Sequence, residues 1–303
     1  MPELPDITVY IEALRTRLEG HALQQVQISS PFLLRTASPP LEAAIGQRVT
    51  GFERLGKRIA LGFENDVWWV LHLMIAGRLH WRDKAPKRLS RTTLAAFTFD
   101  SGVLTLTEAG SKKRASLHVV EGEAAMRAMN PGGLEVMDAD VESFSRAFTA
   151  SNHTLKRALT DPRILSGIGN AYSDEILHRA GLSPVKLTQS LGNDELAAIH
   201  IAVREVLSEW TERLRQETGS GFPEKVTAFR PEMAVHGRYG KPCPVCDSEV
   251  QRIRYASNET NYCPRCQTNG RLLADRSLSR LLKKDWPRSI DELEKSRPTG
   301  KAR

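Results

Sequence analysis

Two pairs of cysteines near the C-terminus constrain the fold of this chain most. The pairs are Cys243 with Cys246 and Cys263 with Cys266, and 16 residues separate them. This spacing is typical of two knuckles on one short hairpin, where four thiolates reach a single ion. The pattern therefore predicts a zinc ribbon with one structural Zn²⁺, because four thiolate ligands leave no coordination position open for water.

The charge of the chain indicates an anionic partner. The sequence of 303 residues has a formal net charge of +7. Residues 240–303 hold 14 Lys and Arg against 8 Asp and Glu, a surplus of six positive charges. Several arginines lie close to the cysteines, namely Arg252, Arg254, Arg265 and Arg271. We therefore expect the hairpin to present cations to phosphate groups.

The N-terminus and the apolar runs indicate a soluble protein of a reducing cytoplasm. No apolar run approaches the roughly 20 residues that a membrane helix needs. Residues 1–6 are acidic and lack the apolar core of a signal peptide. The four cysteines share one short stretch, which favours a local metal site over a network of disulfides.

The spacing of apolar residues predicts an α+β chain of several domains. Residues 7–18 have helical spacing, and residues 22–120 alternate short apolar runs with turn signals, as in an antiparallel sandwich or barrel. Helices are then expected at residues 143–150, 155–159, 171–180 and 194–214. The tail is predicted to hold an amphipathic helix at residues 272–282 and a disordered end at residues 296–303.

Pro2 and Glu3 are the least expected candidates for chemistry. Removal of Met1 would expose the secondary amine of Pro2, which can attack an aldehydic carbon and form an iminium. An α-amine pKa of about 7.7–8.0 leaves a usable neutral fraction near pH 7. Glu3 could donate or relay a proton beside that amine. Asn170 is a further candidate, because it is predicted to cap a helix whose N-terminus binds phosphate, although an ordinary helix–helix turn would look the same.

Five stretches together resemble the formamidopyrimidine-DNA glycosylase/endonuclease VIII family. In chain order they are residues 2–6, 56–58, 72–79, 167–172 and the ribbon that residues 236–238 precede. The resemblance implies a β-sandwich domain that carries the N-terminal helix, then a helix-two-turn-helix domain and the zinc ribbon, with DNA in the cleft. The expected boundaries are residues 1–133 for the catalytic sandwich, 134–232 for the helical domain, 233–270 for the ribbon and 271–303 for a tail.

The same resemblance implies a bifunctional enzyme of base excision repair, which excises oxidised bases and cleaves abasic sites. It implies that Pro2 attacks C1′ of the damaged nucleoside and that Glu3 protonates the sugar ring oxygen or a leaving group. Lys57 is implied to contact phosphate or to assist elimination, and His72 and Asn170 are implied phosphate ligands. The expected partner is damaged DNA, bound by a monomer at the nucleoid of a bacterial-type cytoplasm.

The sequence departs from the family at four places, which leaves two other functions open. Residues 219–238 look several residues shorter than in the members that act on oxidised purines. An apolar wedge is missing from residues 110–115, where Lys112 and Lys113 are instead expected to contact DNA. The family's methionine falls at Ile75, and its ribbon-hairpin arginine falls at Asn258, which is still expected to face DNA. A flipped nucleotide leaves a gap that must be filled. One alternative is therefore a non-catalytic member that binds damaged or abasic DNA. The other, a zinc-ribbon module of a transcription or translation factor, does not explain the N-terminal motif.

Overall fold

The chain forms two compact units, each with its own core. The computed structural model describes residues 1–84, 88–224, 226–255, 258–275, 281 and 287–296. The first unit comprises Met1–Glu135 and Leu207–Ala228, and the second comprises Val136–Val206 and Phe229–Arg303. Among the described helices, none is long and apolar enough to cross a membrane.

The first unit begins with a helix, α1 (Leu4–Leu18). It starts three residues earlier than the apolar spacing predicts. The backbone N–H of Glu3, at the N-cap, donates to Oδ2 of Asp6 at 2.9 Å. Pro5 occupies the first turn, where a missing N–H has no cost. Local capping therefore sets the start of the helix, because it satisfies backbone donors that have no partner within the helix.

Two four-stranded antiparallel sheets enclose the core of the first unit. One sheet has the order β1 (Leu23–Ile28), β6 (Thr93–Phe99), β7 (Gly102–Glu108) and β5 (Gly77–Arg82). The other has the order β2 (Val49–Leu55), β3 (Arg58–Phe63), β4 (Val67–His72) and β8 (Ser116–Glu121). Buried residues of both sheets and of α1 share one cluster, for example Tyr10, Trp69 and Phe97. The predicted antiparallel β-sandwich with an N-terminal helix is confirmed.

Helices make up the beginning of the second unit. After the short helix α2 (Glu123–Arg127) of the first unit come α3 (Val141–Thr149), α4 (Leu155–Thr160), α5 (Asn170–Arg179) and α6 (Asn193–Thr218), whose residues from Leu207 onward belong to the first unit. The side chains of Asp140 and Thr154 cap α3 and α4 by accepting backbone N–H groups. Each helix starts within two residues of its predicted position, so the predicted helical domain is confirmed.

The ribbon ends the second unit. Strands β9 (Gln251–Tyr255) and β10 (Asn258–Tyr262) form an antiparallel hairpin, followed by α7 (Pro264–Thr268) and later by α8 (Ile290–Ser296). The helix predicted at residues 272–282 is wrong at its start, because residues 272–275 are not helical and the backbone N–H of Leu273 donates to the Tyr262 hydroxyl at 2.8 Å. Residues 276–280 and 282 lie outside the described part, as do 297–303 of the predicted disordered end.

Candidate functional site

The first unit places the three predicted catalytic residues near its N-terminus. Pro2 and Glu3 are buried at the start of α1, and only 2% of Glu3 is exposed. Lys57 lies in the two-residue turn between β2 and β3, where Leu55 pairs with Arg58. Gly56 precedes it with a φ of +62°. A tight hairpin turn needs such a left-handed residue, so this turn holds Lys57 at a fixed place.

Charges of both signs surround the terminal amine. Burial lowers the pKa of the Met1 amino group, the Glu3 carboxylate opposes this shift and the positive charge of Arg78 adds to it. Burial also lowers the pKa of Lys57, and Glu3 partly offsets that shift. The amine, Glu3 and Lys57 therefore share one electrostatic environment. A lowered amine pKa enlarges the neutral, nucleophilic fraction near pH 7.

Arg78 lies close to the predicted site and was not among the residues predicted from the sequence. Its guanidinium donates to the backbone carbonyls of Gly77 at 2.6 Å, of Ile75 at 3.2 Å and of Val226. Arg78 thus ties the turn after β4 to the segment near Val226 while it holds a positive charge close to the terminal amine. Its place within the family-like stretch 72–79 was the signal that could have found it.

His72 is neutral at pH 7, although it lies among cations. It ends β4, where it pairs with Arg58 on one side and Ser116 on the other. Its pKa is lowered to about 4, first by burial and then by the positive charges of Arg58 and Lys57. Burial likewise lowers the pKa of His118 on the neighbouring strand. As a phosphate ligand, His72 would therefore donate an N–H group and contribute no charge.

We expect His72 to make the protein sensitive to acid. Its folded pKa of about 4 lies below the ordinary value of 6.5, so the unfolded chain binds more protons between these values. The stability that neutral His72 contributes is complete above pH 6.5 and is lost as the pH falls towards 4. His72→Gln should therefore flatten the fall in the free energy of unfolding over this window, measured by urea denaturation. An unchanged fall, equal to that of His153→Gln, would contradict this.

The turn between β4 and β5 presents an apolar side chain to solvent. Ile75 is 57% exposed, whereas Met74 is half-buried with a φ of +54°. The backbone N–H of Gly77 donates to the Leu73 carbonyl at 2.9 Å, and a Cβ on Gly77 would lie 2.2 Å from that oxygen. Glycine is thus required to close the turn. The turn therefore displays Ile75, the residue at the position of the family's methionine.

The two predicted DNA-binding lysines after β7 lie in different environments. Glu108 is buried, and its carboxylate accepts the backbone N–H groups of Arg114 at 2.9 Å and of Ala115 at 3.1 Å. The ammonium group of Lys113 donates to the Glu108 carbonyl, so it closes its own loop. Lys112 is exposed at the tip of the loop. Of the pair, Lys112 is the better placed to meet a phosphate.

In the second unit, Asn170 is attached to the ribbon. Gly169 is the N-cap of α5 and Asn170 is its first residue, so the predicted capping position is wrong by one residue. The Asn170 side chain instead donates to the Glu259 carbonyl of β10 at 2.9 Å. The helix start and the hairpin are therefore held together, an arrangement that no spacing in the sequence predicts.

Two buried carboxylates of α5 strengthen this attachment. Asp174 accepts from Lys156, from Nδ1 of His236 at 2.8 Å and from the backbone N–H of Asn261 at 3.1 Å. Glu175 accepts the backbone N–H groups of Ala234, Val235 and His236 at 2.7 to 2.9 Å. No motif in the sequence predicts this network, because its members are scattered along the chain. Buried carboxylates with several donors fix their neighbours in one arrangement.

The four cysteines form a site that fits zinc. Their sulfur atoms all lie within 4.8 Å of one another. The separations are 3.9 Å for Cys243–Cys266, 3.4 Å for Cys246–Cys263 and 3.5 Å for Cys246–Cys266. A tetrahedral ion with Zn–S bonds of about 2.3 Å places its sulfurs about 3.8 Å apart. His178 adds a contact from Nε2 to the Cys243 sulfur at 3.3 Å. The set would hold one structural Zn²⁺.

The hairpin arginines differ in how freely they could meet phosphate. Arg252 lies 3.2 Å from the Glu259 carboxylate, and its guanidinium carbon is 4.1 Å from the ring centroid of Tyr239. Arg254 is 3.9 Å from the same carboxylate, and 58% of its side chain is exposed. Asn258 is exposed at the start of β10. Arg254 is therefore the more available cation beside Asn258.

Family models match most of the chain. The formamidopyrimidine-DNA glycosylase N-terminal domain matches residues 1–112, and the H2TH domain of the same enzyme matches residues 133–220. A zinc finger found in FPG and IleRS matches residues 240–269. The fold and the cysteine site thus define a protein with a β-sandwich, a helix-two-turn-helix region and a zinc ribbon.

Two relatives support these matches, and each aligns with this chain over nearly the whole of its own length. The formamidopyrimidine-DNA glycosylase of Heliobacterium modesticaldum is 30% identical over 282 residues, which cover 88% of this chain and 100% of that protein. A formamidopyrimidine-DNA glycosylase-like protein of Mycobacterium tuberculosis is 40% identical over 162 residues, covering 54% of this chain and 99% of its own. The chain belongs to the formamidopyrimidine-DNA glycosylase family.

Solved structures show the same fold. The MutM (Fpg) protein of Thermus thermophilus is 30% identical with a TM-score of 0.73, and the match covers 88% of this chain and 98% of that one. The Lactococcus lactis Fpg, crystallised with DNA that contains an abasic site, has a TM-score of 0.78 at 23% identity, with 88% and 99% covered.

Proposed function

We propose that this protein is a DNA glycosylase of base excision repair that also cleaves the strand at the resulting abasic site. The observation that carries the proposal is the placement of buried Pro2 and Glu3 beside Lys57, since the charges of Glu3 and Lys57 both act at the chain's N-terminus. Family membership supports the glycosylase, and relatives such as the Lactococcus lactis protein are solved with abasic-site DNA. The lyase rests on the N-terminal chemistry.

The chemistry would begin at Pro2 once Met1 is removed. The nitrogen lone pair attacks C1′, and the electrons of the glycosidic bond leave with the base. The departing base takes up a proton and the attacking nitrogen loses its own. The nitrogen lone pair then forms the iminium at C1′ as the bond from C1′ to the ring oxygen breaks and that oxygen is protonated, and Glu3 would supply the proton to the base or to the ring oxygen. Loss of a proton from C2′ then expels the 3′ phosphate, and water releases Pro2. Lys57, held at its hairpin turn, would assist this elimination or contact a phosphate.

Each unit would contribute its own contacts to the damaged DNA. In the first unit, the exposed Lys112 would meet backbone phosphate, and His72 would donate an uncharged N–H group. Ile75 offers the exposed apolar side chain that could fill the gap left by a flipped nucleotide. In the second unit, the start of α5 at Asn170 and the hairpin arginines would meet phosphate. A structural zinc would hold the ribbon together. The monomeric state and the cytoplasmic location of the protein stay predictions.

Borohydride trapping on a duplex with one abasic site tests the proposal. An enzyme that uses an amine nucleophile is reduced to a stable covalent complex with the DNA, and mass spectrometry should place the adduct on Pro2. The second candidate function is a non-catalytic binder of damaged DNA, which the absence of a large apolar side chain from residues 110–115 favours. Tight binding without trapping or strand cleavage would favour that candidate.

β-Elimination alone leaves a 3′ unsaturated aldehyde, whereas a second, δ, elimination leaves a 3′ phosphate. Because of Asn258, we expect the second elimination to be slow and the aldehyde to be the main product. The family resemblance implies that an arginine at this position binds the phosphates on both sides of the extruded nucleotide. A charged bidentate donor makes hydrogen bonds about twice as strong as a neutral amide does. On a denaturing gel, Asn258→Arg should shift the products towards the 3′ phosphate.

The neighbouring arginines provide the control for this prediction. Arg254→Ala should reduce any residual 3′ phosphate more than Arg252→Ala, because Arg252 is held by Glu259 and Tyr239. A native protein that yields mostly 3′ phosphate, with no change in either alanine variant, would show that no hairpin cation is needed.

A further inference from the structure

The chain continues beyond the zinc ribbon and returns to it. The zinc-finger model ends at residue 269, and residues 272–275, which form neither helix nor strand, then contact the ribbon. The backbone N–H of Leu273 donates to the Tyr262 hydroxyl at 2.8 Å. Further along, Oδ2 of Asp275 accepts the backbone N–H of Arg254 at 3.0 Å. The segment therefore contacts both strands of the hairpin.

Asp275 makes the most informative of these contacts. It is fully buried, with 0% of its surface exposed, although a buried carboxylate is costly unless hydrogen bonds compensate it. In an antiparallel pair, alternate N–H groups of each strand point away from the partner strand. Register pairs Arg254 with Glu259, and the outward N–H of Arg254 goes to Asp275. The carboxylate thus holds the backbone of the residue that carries the more available cation.

The chain also anchors at the base of the ribbon. The backbone N–H of Leu272 donates to the Arg288 carbonyl at 2.9 Å, and that of Ile290 donates to the Gly270 carbonyl at 2.8 Å. Ile290 is fully buried at the start of α8. On the surface, Arg265 of α7 lies 2.7 Å from the Asp291 carboxylate. Residues 271–275 are therefore fixed at the ribbon base as well as along its strands.

We propose that residues 271–275 and 287–296 form a strap that holds the β9–β10 hairpin in the conformation that presents Arg254 to phosphate, with Asp275 as the positioning residue. A two-stranded hairpin is marginally stable by itself, so an external anchor near its tip matters. The strap rests on the proposed function, because it assumes that the hairpin contacts DNA. It assigns a role to a part of the chain that the zinc-finger model does not match.

The sign of the change in DNA affinity separates a strap from simple electrostatics. Asp275→Ala removes a negative charge from the ribbon, which by charge alone would tighten binding to DNA. The strap predicts the opposite. Affinity for an undamaged duplex at fixed salt should fall about fivefold or more, which corresponds to the net contribution of one hydrogen bond. Asp275→Asn keeps an acceptor for Arg254 and should bind close to the native affinity. Asp247→Asn, an exposed change of the same charge in a zinc knuckle, should bind as well as or better than the native protein.

Hydrogen exchange at the Arg254 amide tests the strap without DNA. In the intact native protein this amide should be protected, and Asp275→Ala should speed its exchange at least about tenfold while the zinc content stays at one ion. Tyr262→Phe, which removes only the acceptor for Leu273, provides a second variant should Asp275→Ala lose its zinc. It should likewise speed exchange in the strap and weaken DNA binding.

Unchanged Arg254 exchange together with equal or tighter DNA binding in both variants would overturn the strap. A native protein that binds no DNA would overturn the proposed function instead. The exchange measurement would still decide whether Asp275 restrains the hairpin.

Discussion

Pro2→Gly should slow single-turnover β-elimination at an abasic site by about 100-fold or more, because an amine displaced by about 1 Å loses its alignment with C1′. The variant keeps a terminal amine but lacks the ring that fixes its direction at the start of α1. Borohydride trapping should fall in parallel, while affinity for undamaged DNA should stay within about twofold, since the proposed mechanism gives Pro2 no role in binding phosphate. Rates are measured with enzyme in excess over a labelled duplex.

Two variants make this test specific. Pro5→Ala changes a buried proline of the same helix but leaves the terminal amine intact, so its elimination rate should remain near that of the native protein. Lys57 is the rival nucleophile, because burial lowers its pKa and increases its neutral fraction. If Lys57 instead assists the elimination, as proposed, Lys57→Met should slow elimination and still yield an adduct on the N-terminal peptide. An adduct on Lys57, or an undiminished rate in Pro2→Gly, would refute the assignment of Pro2.

Cys263→Ser should release the zinc and abolish DNA binding that depends on the ribbon. Structural zinc contributes about 10–16 kcal/mol in zinc-finger peptides, which far exceeds the stability of so short a hairpin. Loss of the ion should therefore unfold the ribbon, and with it the contacts from Asn170 to Glu259 and from Asp174 to Asn261. Metal analysis should fall from about one zinc per chain to none, and affinity for duplex DNA should fall at least about 100-fold.

Val245→Ser is the matched control for the zinc prediction. Val245 lies between two cysteine ligands and is 73% exposed, so a polar residue there should keep both zinc and DNA binding. The β-sandwich has a core of its own, and its thermal transition should persist in Cys263→Ser. Full DNA affinity in zinc-free protein would show that the ribbon is dispensable.

The sequence predicted those parts of the fold and site that depend on nearby residues. Cysteine spacing predicted the zinc site, and the helical periods of the second unit predicted α3 to α6 with small errors at their ends. The family-like stretches also pointed to Pro2, Glu3 and Lys57, whose catalytic roles stay predictions. Local rules failed at the boundary of α5, where Gly169 takes the capping position because the Asn170 side chain is bonded to the ribbon.

Only the tertiary structure decided the electrostatics and the long-range attachments. The low pKa of His72 comes from burial beside Arg58 and Lys57, and no property of a histidine in a sequence reveals its surroundings. The spacing at residues 272–282 predicted an amphipathic helix, yet the backbone N–H of Leu273 donates to the Tyr262 hydroxyl of the ribbon. Spacing determines contacts between residues a few positions apart, whereas a buried carboxylate such as Asp275 acquires its role when folding brings a distant N–H group within 3.0 Å and removes the water that would otherwise solvate both.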